Sequence, residues 1–350
     1  MRCKYIEHQA CIRTDGQYRM CCVSMEPDNK ENVLTHTPIQ WLESSTINRA
    51  REQFNNNEWP DACIKCKTQE QNGIESMRQK PRQYGPGLSH LDLRFGNNCN
   101  LACAMCFPGS SSTIHYEHEE LKNKGIESPW GTQTFEVYNW YNEDLGDMFS
   151  NLKDLREVYL TGGEPMMVRH LASFLEKLDS NVELRFNTNG TILNPKVFEQ
   201  LKRFRRVNMS YSIDGLGKVN DYIRWGSKWT DIENNINVMS ELKNVEISIS
   251  PTIQTLNALY YKDLKTWADN RGYRVYDNML LFPKHYNLAN ADNKLKDLVP
   301  EFSHWTIAET DITEYNNFKK YVNILDKTRN ISIVDYLPEV AEIYGISKTE

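Results

Sequence analysis

Residues 91 to 282 alternate strand-like and helical patterns, and this alternation restricts the fold more than any other feature of the sequence. Helical spacing of apolar residues runs over residues 171–178, 196–204, 232–242 and 259–268. The predicted strands are residues 91–95, 157–160, 182–186, 207–213, 245–250 and 279–282. Repeated strand–helix units form a parallel sheet covered by helices. Six units are too few for a closed eight-stranded barrel, so we expect an α/β fold with a partial (βα)6 TIM-like barrel.

The barrel pattern occupies only the middle of the chain. Residues 1–85 predict a small α+β module, which contains a hairpin that turns at Asp15-Gly16. A stretch rich in proline and glycine ends this module and predicts a linker. Residues 86–290 then form the predicted barrel, and residues 291–350 predict a mainly helical C-terminal extension.

Charge and hydropathy exclude several classes of partner. The formal net charge is −6, and sequence-independent binding to nucleic acid requires a basic surface instead. No apolar run is long enough to span a bilayer, and the N-terminus lacks the apolar segment of a signal peptide. We therefore expect a cytoplasmic protein with neither a membrane nor a nucleic acid as its partner.

The nine cysteines all lie within the first 106 residues. In a reducing compartment, cysteines at short spacings indicate metal ligation rather than disulfides. The cysteines form three groups along the chain, namely Cys3, Cys11, Cys21 and Cys22, then Cys63 and Cys66, then Cys99, Cys103 and Cys106. Metal-binding chemistry is therefore expected in the first third of the chain.

The last group has the pattern Cys-x3-Cys-x2-Cys and follows the first predicted strand directly. Three thiolates in one short loop can each bind a different iron of a cubane cluster and leave the fourth iron without a protein ligand. An open coordination position is typical of reactive metal centres, whereas structural centres are closed. A zinc loop with a distant fourth ligand has the same spacing, so the loop alone leaves both interpretations open.

With this loop in this place, residues 88–283 resemble the radical S-adenosylmethionine (radical SAM) superfamily. The resemblance implies that Cys99, Cys103 and Cys106 hold a catalytic 4Fe–4S cluster whose free iron binds S-adenosylmethionine. Reductive cleavage would give methionine and a 5′-deoxyadenosyl radical, which removes a hydrogen atom from a substrate. The family usually has an aromatic residue before the third cysteine. Here that residue is Met105, whose backbone is expected to meet the adenine.

A second motif, Gly162-Gly163-Glu164, follows the second predicted strand. Two glycines let a backbone approach a ligand closely, and the carboxylate beside them can pair with an ammonium group. By itself the motif is no more than a turn. The resemblance implies that the motif binds the amino group of the cofactor's methionine part. Two motifs that follow consecutive strands are hard to attribute to chance.

The resemblance also implies cofactor contacts after the third and fourth strands. Asn187 and Asn189 are expected near the ribose or the adenine edge, although Asn-Gly chemistry also makes polar turns. Ser212 and Arg224 are expected to bind the cofactor carboxylate. Asp214 follows Ser212 closely, and the sequence leaves open whether it faces the cofactor or the substrate.

Four thiolates of the first two groups predict a second metal site. The pattern is similar to the twitch module, the shortened relative of the SPASM domain, which carries an auxiliary 4Fe–4S cluster. That module usually follows the radical domain, whereas here it precedes it. Cys22 is an alternative to Cys21, Cys11 is expected in the core, and a structural zinc site is the alternative to a cluster. The predicted ligands are Cys3, Cys21, Cys63 and Cys66.

The resemblance implies a radical SAM enzyme that oxidises or cross-links a peptide or protein side chain. A small-molecule dehydrogenase of the sugar alcohol or aminoglycoside type is the second hypothesis. A non-catalytic zinc-binding interaction protein is the third, and it predicts a colourless protein. The enzyme hypotheses require an electron donor such as flavodoxin or ferredoxin.

Overall fold

The computed structural model describes residues 1–25, 31–80, 84–138, 140, 148–149 and 152–348. Its strands are β1 (Gln9–Ile12), β2 (Tyr18–Arg19), β3 (His90–Arg94), β4 (Ala102–Cys103), β5 (Glu157–Thr161), β6 (Glu183–Thr188), β7 (Val207–Tyr211), β8 (Arg224–Trp225), β9 (Val245–Ile249), β10 (Thr252–Ile253), β11 (Arg274–Val275) and β12 (Asn278–Met279).

The helices surround these strands. They are α1 (Lys4–His8), α2 (Pro38–Leu42), α3 (Ser45–Asn55), α4 (Ile64–Gln71), α5 (Ser112–Asn123), α6 (Leu171–Glu176), α7 (Pro195–Leu201), α8 (Lys218–Ile223), α9 (Trp229–Ser240), α10 (Tyr261–Asn270), α11 (Asn293–Leu298), α12 (Ile312–Arg329), α13 (Ile333–Tyr336) and α14 (Pro338–Ile343). Several begin at a side-chain cap, such as Ser111 before α5 and Asn194 before α7, where the side-chain oxygen accepts a backbone N–H that would otherwise lack a partner.

Eight strands form one sheet in the order β11-β9-β7-β6-β5-β3-β1-β2. Every neighbouring pair is parallel except β1 and β2. The structure therefore confirms the predicted α/β class with a mostly parallel sheet, and five of the six predicted barrel strands lie in it. In the order of the described strands, β11 and β2 are the two edges, so the sheet is open rather than closed.

The sixth predicted strand, residues 279–282, is wrong. The sheet ends instead at β11, and Met279 belongs to β12, which pairs with β10 in a separate two-stranded sheet. Leu281 and Phe282 are exposed rather than buried, so their apolar character does not mark a core strand. The true edge strand has only two residues and neither is buried, which explains why no apolar pattern indicates it.

The predicted N-terminal hairpin is present, and it begins the main sheet. β1 pairs antiparallel with β2, Gly16 lies in the turn with φ +81°, and β1 also pairs parallel with β3. All four residues of β1 are buried, as expected for a strand covered on both faces. The sheet and the apolar core therefore continue across residue 85. The division of the chain into an N-terminal module and a barrel at that residue stays a prediction.

One face of the sheet is apolar and the other is polar. In β6, the side chains of Leu184 and Phe186 are buried in the same core as Leu171 of α6 and Val197 of α7. The alternate residues face a polar groove of about 450 Å³, which side chains of β5, β6, β7, β9 and β11 line. This alternation follows from the two-residue period of a strand.

A second core joins the C-terminal helices to the barrel. It contains Tyr222 and Ile223 of α8 together with Phe318 of α12. The Tyr222 hydroxyl donates a 2.8 Å hydrogen bond to Asp326 of α12. None of the helices in the described ranges has both the length and the apolar character that crossing a membrane requires.

Candidate functional site

The loop after β3 and the loop after β5 are hydrogen-bonded to each other. The Gly163 N–H donates to the Gly96 carbonyl at 3.1 Å, and the Glu164 N–H donates to the Asn98 carbonyl at 2.8 Å. A Cβ on Gly163 would lie 2.2 Å from the Asn98 carbonyl oxygen, so only glycine fits there. Since β3 and β5 are parallel neighbours, the two predicted motifs meet at one edge of the sheet.

Gly162 adds a conformational requirement to this contact. Its φ is +123°, and a Cβ would lie 2.9 Å from the Gly96 carbonyl oxygen. Side chains rarely adopt that backbone region. In the structure, the two glycines thus hold the Gly-Gly-Glu loop against the cysteine loop, and both of their backbones lie close to it.

The three cysteines of the loop lie together. Cys103 is in β4, which pairs antiparallel with β8 so that Cys103 is opposite Arg224. The Cys106 thiol hydrogen-bonds the Cys103 sulfur, and the pKa of Cys99 also responds to the charge of Cys103. The Cys99 carbonyl accepts a hydrogen bond from the Thr113 hydroxyl at 2.6 Å, which ties the loop to the start of α5.

Burial and hydrogen bonding move the three thiol pKa values apart. Burial raises the pKa of Cys99 to about 12. The hydrogen bond from the Cys106 thiol, together with the guanidinium of Arg224, lowers the pKa of Cys103. The pKa of Cys106 is raised because its thiol donates that bond and because it is buried. Bound metal favours the thiolate form at all such sites.

No three His, Cys, Asp or Glu side chains of the described residues converge as ligands of a single metal ion.

Glu164 is buried beneath the cysteine loop. Its Oε1 accepts hydrogen bonds from the Met166 N–H at 3.0 Å and the Thr188 hydroxyl at 2.8 Å, and its Oε2 accepts the Asn189 N–H at 2.7 Å. Burial raises the pKa of Glu164 although these bonds favour the charged form. A carboxylate has about four acceptor positions, so Oε2 retains room for one more donor.

Asn189 lies at the cysteine loop, whereas Asn187 does not. The Asn189 side-chain amide is 3.9 Å from the Cys99 sulfur and donates to Asn100 at 3.0 Å. Asn187 is still in β6, opposite Ser210, and lines the polar groove. The two residues, predicted together, therefore lie in different places.

Ser212 and Met105 lie beside the site, and among the described residues neither side chain forms a hydrogen bond to it. The Ser212 N–H donates to the Thr188 carbonyl at 2.8 Å, next to the hydroxyl that binds Glu164. Met105 is half-buried and packs against the C-terminal core, as its neighbour Ala104 does.

Arg224 and Asp214 form a buried ion pair at the cysteine loop. Arg224 Nη1 is 3.9 Å from the Cys103 sulfur, and its Nε is 2.9 Å from Asp214 Oδ2. Burial alone would lower the pKa of Arg224, but Asp214, Cys103 and Cys106 raise it. The structure thus places Asp214 beside Arg224, a relation that the sequence left open.

Thr252 and Asn257 hold Asp214 in place, and of these two the sequence gives no indication of Asn257. Its Oδ1 accepts the Thr252 N–H at 2.7 Å, and its carbonyl accepts the Asn257 side-chain amide at 3.0 Å. Asn257 also accepts the Gln254 N–H at 2.8 Å. Asn257 lies outside any recognisable motif, and only its polarity shortly after a strand could have indicated it.

The four N-terminal cysteines predicted as ligands line one small enclosed cavity. Cys3 precedes α1, and the Cys-x2-Cys pair brackets the start of α4. Cys22 instead lines a neighbouring cavity with Cys11, which is buried as expected. The structure therefore groups Cys21, and not Cys22, with the other three predicted ligands. The residues that share the enclosed cavity are Cys3, Cys21, Cys63 and Cys66.

Residues 93–259 match the family model of the radical SAM superfamily. This range begins in β3 and ends beyond β10. It contains the cysteine loop, the Gly-Gly-Glu motif and Arg224. This part of the chain, just under half of its length, is therefore similar to the radical SAM superfamily.

Individual relatives are distant. An uncharacterized protein of Methanocaldococcus jannaschii, MJ0907, is 24% identical over 210 residues, which are 57% of this chain and 64% of that protein. GTP 3′,8-cyclase of Desulforamulus reducens is 25% identical over 167 residues, 46% of this chain and 45% of that enzyme. The chain thus spans less than two thirds of the length of these curated relatives. The solved structure of native anSMEcpe with bound AdoMet is 17% identical, with a TM-score of 0.40 over 70% of this chain and 62% of that one.

Proposed function

We propose that this chain, whose residues 93–259 match the radical SAM family model, is a radical SAM enzyme with a cluster on Cys99, Cys103 and Cys106. The observation that carries the proposal is the direct hydrogen bonding between the cysteine loop and the Gly-Gly-Glu loop. When bound, the cluster would supply the electron that splits S-adenosylmethionine into methionine and a 5′-deoxyadenosyl radical, which takes a hydrogen atom from the substrate.

A buried polar group near the loop supports a polar ligand there. Arg224 Nε and Asp214 Oδ2 lie 2.9 Å apart as an ion pair, whereas Gln254 Oε1 is buried without a hydrogen-bond partner in the described residues. Buried polar atoms are normally satisfied. A cofactor with amino, carboxylate and ribose groups would supply such partners, so the residues present fit it.

The side chains around the loop have separate proposed roles. Glu164 has one acceptor position left for the cofactor ammonium, and its three internal hydrogen bonds hold it rigidly. Arg224 and Ser212 would bind the carboxylate. Asn189 and the backbone of Met105 would lie along the adenosine part. Asn187 lies farther out in the groove and would contact the ribose edge or the substrate.

The proposed substrate is a peptide or protein side chain, which the enzyme oxidises or cross-links. The polar groove of about 450 Å³ on the open face of the sheet supports this choice. Tyr276 lines the groove, and Leu281 and Phe282 follow on the next segment with more than half of their surfaces exposed. Exposed apolar residues grouped beside a groove are typical of a surface that contacts another chain.

A small-molecule reaction is the second candidate. The relative named GTP 3′,8-cyclase favours it, and the polar lining of the groove suits a small polar molecule as well as a side chain. Anaerobic incubation with reductant and cofactor, followed by mass spectrometry of candidate peptides and small molecules, separates the two substrates.

We also propose that Cys3, Cys21, Cys63 and Cys66 hold an auxiliary 4Fe–4S cluster in a twitch-like module. Their shared cavity supports this, and four thiolates would satisfy all four irons. Such a cluster would accept an electron from the substrate radical, which makes the net reaction an oxidation, and would also stabilise the N-terminal region.

The decisive experiment for the proposed function is the Cys103→Ala variant. It should fold, as judged by circular dichroism, but should form no 5′-deoxyadenosine from S-adenosylmethionine under dithionite. Unchanged 5′-deoxyadenosine formation would refute the assignment. A colourless wild-type protein that contains zinc after anaerobic reconstitution with iron and sulfide would favour the interaction-protein hypothesis instead.

A further inference from the structure

The last turn of α12 contacts both of the elements that support the cysteine loop. Arg329, the final residue of α12, donates two 2.8 Å hydrogen bonds to the carboxylate of Glu117 in α5. One turn earlier, Asp326 accepts the hydroxyl of Tyr222, in α8, at 2.8 Å. Helix α12 therefore joins α5 to α8, although it lies outside the range that matches the family model.

Helix α5 supports the beginning of the cysteine loop. The Thr113 hydroxyl donates to the Cys99 carbonyl at 2.6 Å, and the Ser112 hydroxyl accepts the Cys99 N–H at 3.1 Å. The hydroxyl of Ser111, the cap of α5, donates to the Leu101 carbonyl at 2.7 Å. A shift of α5 would therefore displace Cys99.

Helix α8 supports the other side of the loop. The Ala104 N–H donates to the carbonyl of Ile223, the last residue of α8, at 2.7 Å. The next residue, Arg224, lies opposite Cys103 in the ladder between β4 and β8. The two helices that α12 joins thus hold the positions of Cys99 and Cys103.

The contact between α12 and α5 is a buried ion pair. The side chains of Arg329 and Glu117 are only 4% and 11% exposed. A second ion pair of α12, between Lys320 and Glu127 after α5, is 44% and 56% exposed. A buried ion pair rarely stabilises a fold more than apolar residues of the same volume would, so stability alone does not account for the two buried charges.

The charge of Arg329 reaches the cysteine loop. The pKa of Cys103 is lowered mainly by the hydrogen bond from the Cys106 thiol, and the charges of Arg224 and Arg329 lower it further. Arg329 is therefore a second buried cation near the same sulfur. Net charge and hydrogen bonding around an iron–sulfur cluster set its reduction potential.

We propose that Arg329 is a positioning residue of the cluster site, which, fixed by Glu117, places a buried positive charge beside the cysteine loop and favours the reduced form of the cluster. Reduction transfers one electron, and no proton, from an external donor of the flavodoxin or ferredoxin type. Arg329 would stabilise the negative charge that the cluster gains, because burial weakens screening of their attraction by solvent and salt. The inference rests on the proposed function, since it assigns these residues to that enzyme's cluster.

The reduction potential separates an electrostatic role from a structural one. The anaerobically reconstituted full chain is titrated potentiometrically with dithionite, and the paramagnetic resonance signal that changes on addition of S-adenosylmethionine is followed. Arg329→Gln should make the potential more negative. Glu117→Gln, which leaves the cation beside a neutral acceptor, should make it more positive. Each variant should change the reduction equilibrium by roughly tenfold, or about 59 mV for one electron, whereas mere loosening of the loop would move both potentials in the same direction.

Two controls test the charge and its burial separately. Arg329→Lys keeps the positive charge and should keep the potential of the wild type. Lys320→Gln removes a cation from the exposed pair on the same helix and should also leave the potential unchanged. If circular dichroism shows that Arg329→Gln does not fold, Glu117→Gln and Arg329→Lys decide, since a more positive potential in the first and a wild-type potential in the second support the proposal.

The inference is overturned if the wild type has a reducible cluster that responds to the cofactor but Arg329→Gln and Glu117→Gln leave its potential unchanged or shift it in the same direction. An equal shift in Lys320→Gln would also overturn it. A wild type without any reducible cluster overturns the proposed function, and the inference falls with it.

Discussion

Substitution of Gly163 by alanine tests the contact on which the proposed active site depends. The added Cβ would lie 2.2 Å from the Asn98 carbonyl oxygen and 2.7 Å from the Asn97 carbonyl carbon. Both atoms belong to the backbone of the cysteine loop, so no side-chain rotation can relieve the overlap. The loop after β3 and the loop after β5 must move apart, and the hydrogen bonds between them must lengthen or break.

The size of the effect follows from these contacts. Each of the two backbone hydrogen bonds between the loops contributes about 0.5–1.5 kcal/mol, and overpacking costs about 1–3 kcal/mol. The Gly163→Ala variant should therefore lose about 2–6 kcal/mol of unfolding free energy, a large part of the total stability of a domain. The displaced cysteine loop should also retain less iron.

A matched control is Gly125→Ala after α5. Gly125 has φ +67° and nothing within 4 Å of its ideal Cβ, so alanine there costs only about 1–2 kcal/mol of backbone strain. Unfolding in urea under anaerobic conditions and iron analysis compare the two variants. If Gly163→Ala kept its iron and lost no more stability than Gly125→Ala, the steric argument would be refuted.

Two further predictions concern the other cysteines and a buried histidine. Cys63→Ala should remove up to four irons per chain, whereas Cys22→Ala should leave the iron content unchanged; equal losses in both variants would contradict the grouping of Cys21 with Cys63. Burial lowers the pKa of His285 to about 4 from 6.5, so between pH 7 and pH 5 the unfolded chain takes up a proton that the folded chain does not. The unfolding free energy should therefore fall by about 2 kcal/mol over that range, and His285→Phe should show a smaller fall in urea titrations at the two pH values.

Patterns within one segment of the sequence predict the structure well here. The hairpin around Gly16 and five barrel strands lie where their residues indicate, because strand alternation and turn chemistry are local properties. The partners of a strand are not local. β1 joins the main sheet beside β3, and nothing in residues 9–12 distinguishes that arrangement from a strand in a separate module. The edge strand at Arg274 was missed because it is short and exposed.

The positions of the site residues also depend on which strands are neighbours in the sheet. In neighbouring parallel strands the segments that follow each strand meet at one edge, so motifs after β3, β5 and β6 come together in any sheet with this strand order. Cys99, Glu164 and Asn189 are neighbours for that reason alone. Asn187, only two residues earlier, is still inside β6 and consequently faces the groove.

Arg224 reaches the site by a different route. It lies beyond α8, and a two-residue antiparallel ladder between β4 and β8 places it opposite Cys103. Such a short ladder leaves no recognisable sequence pattern in either segment. Arg224 pairs with the buried Asp214, which backbone and side-chain amide groups of residues 252–257 hold in place. The same holds for Arg13 and Arg94, because Arg13 directly follows β1 and Arg94 ends β3, two strands that are distant in sequence and adjacent in the sheet. Strand order therefore determines which charges face the cysteines, and a change that shifts the register of β1 on β3 should move Arg13 relative to Arg94 while leaving the contact between Cys103 and Arg224 intact.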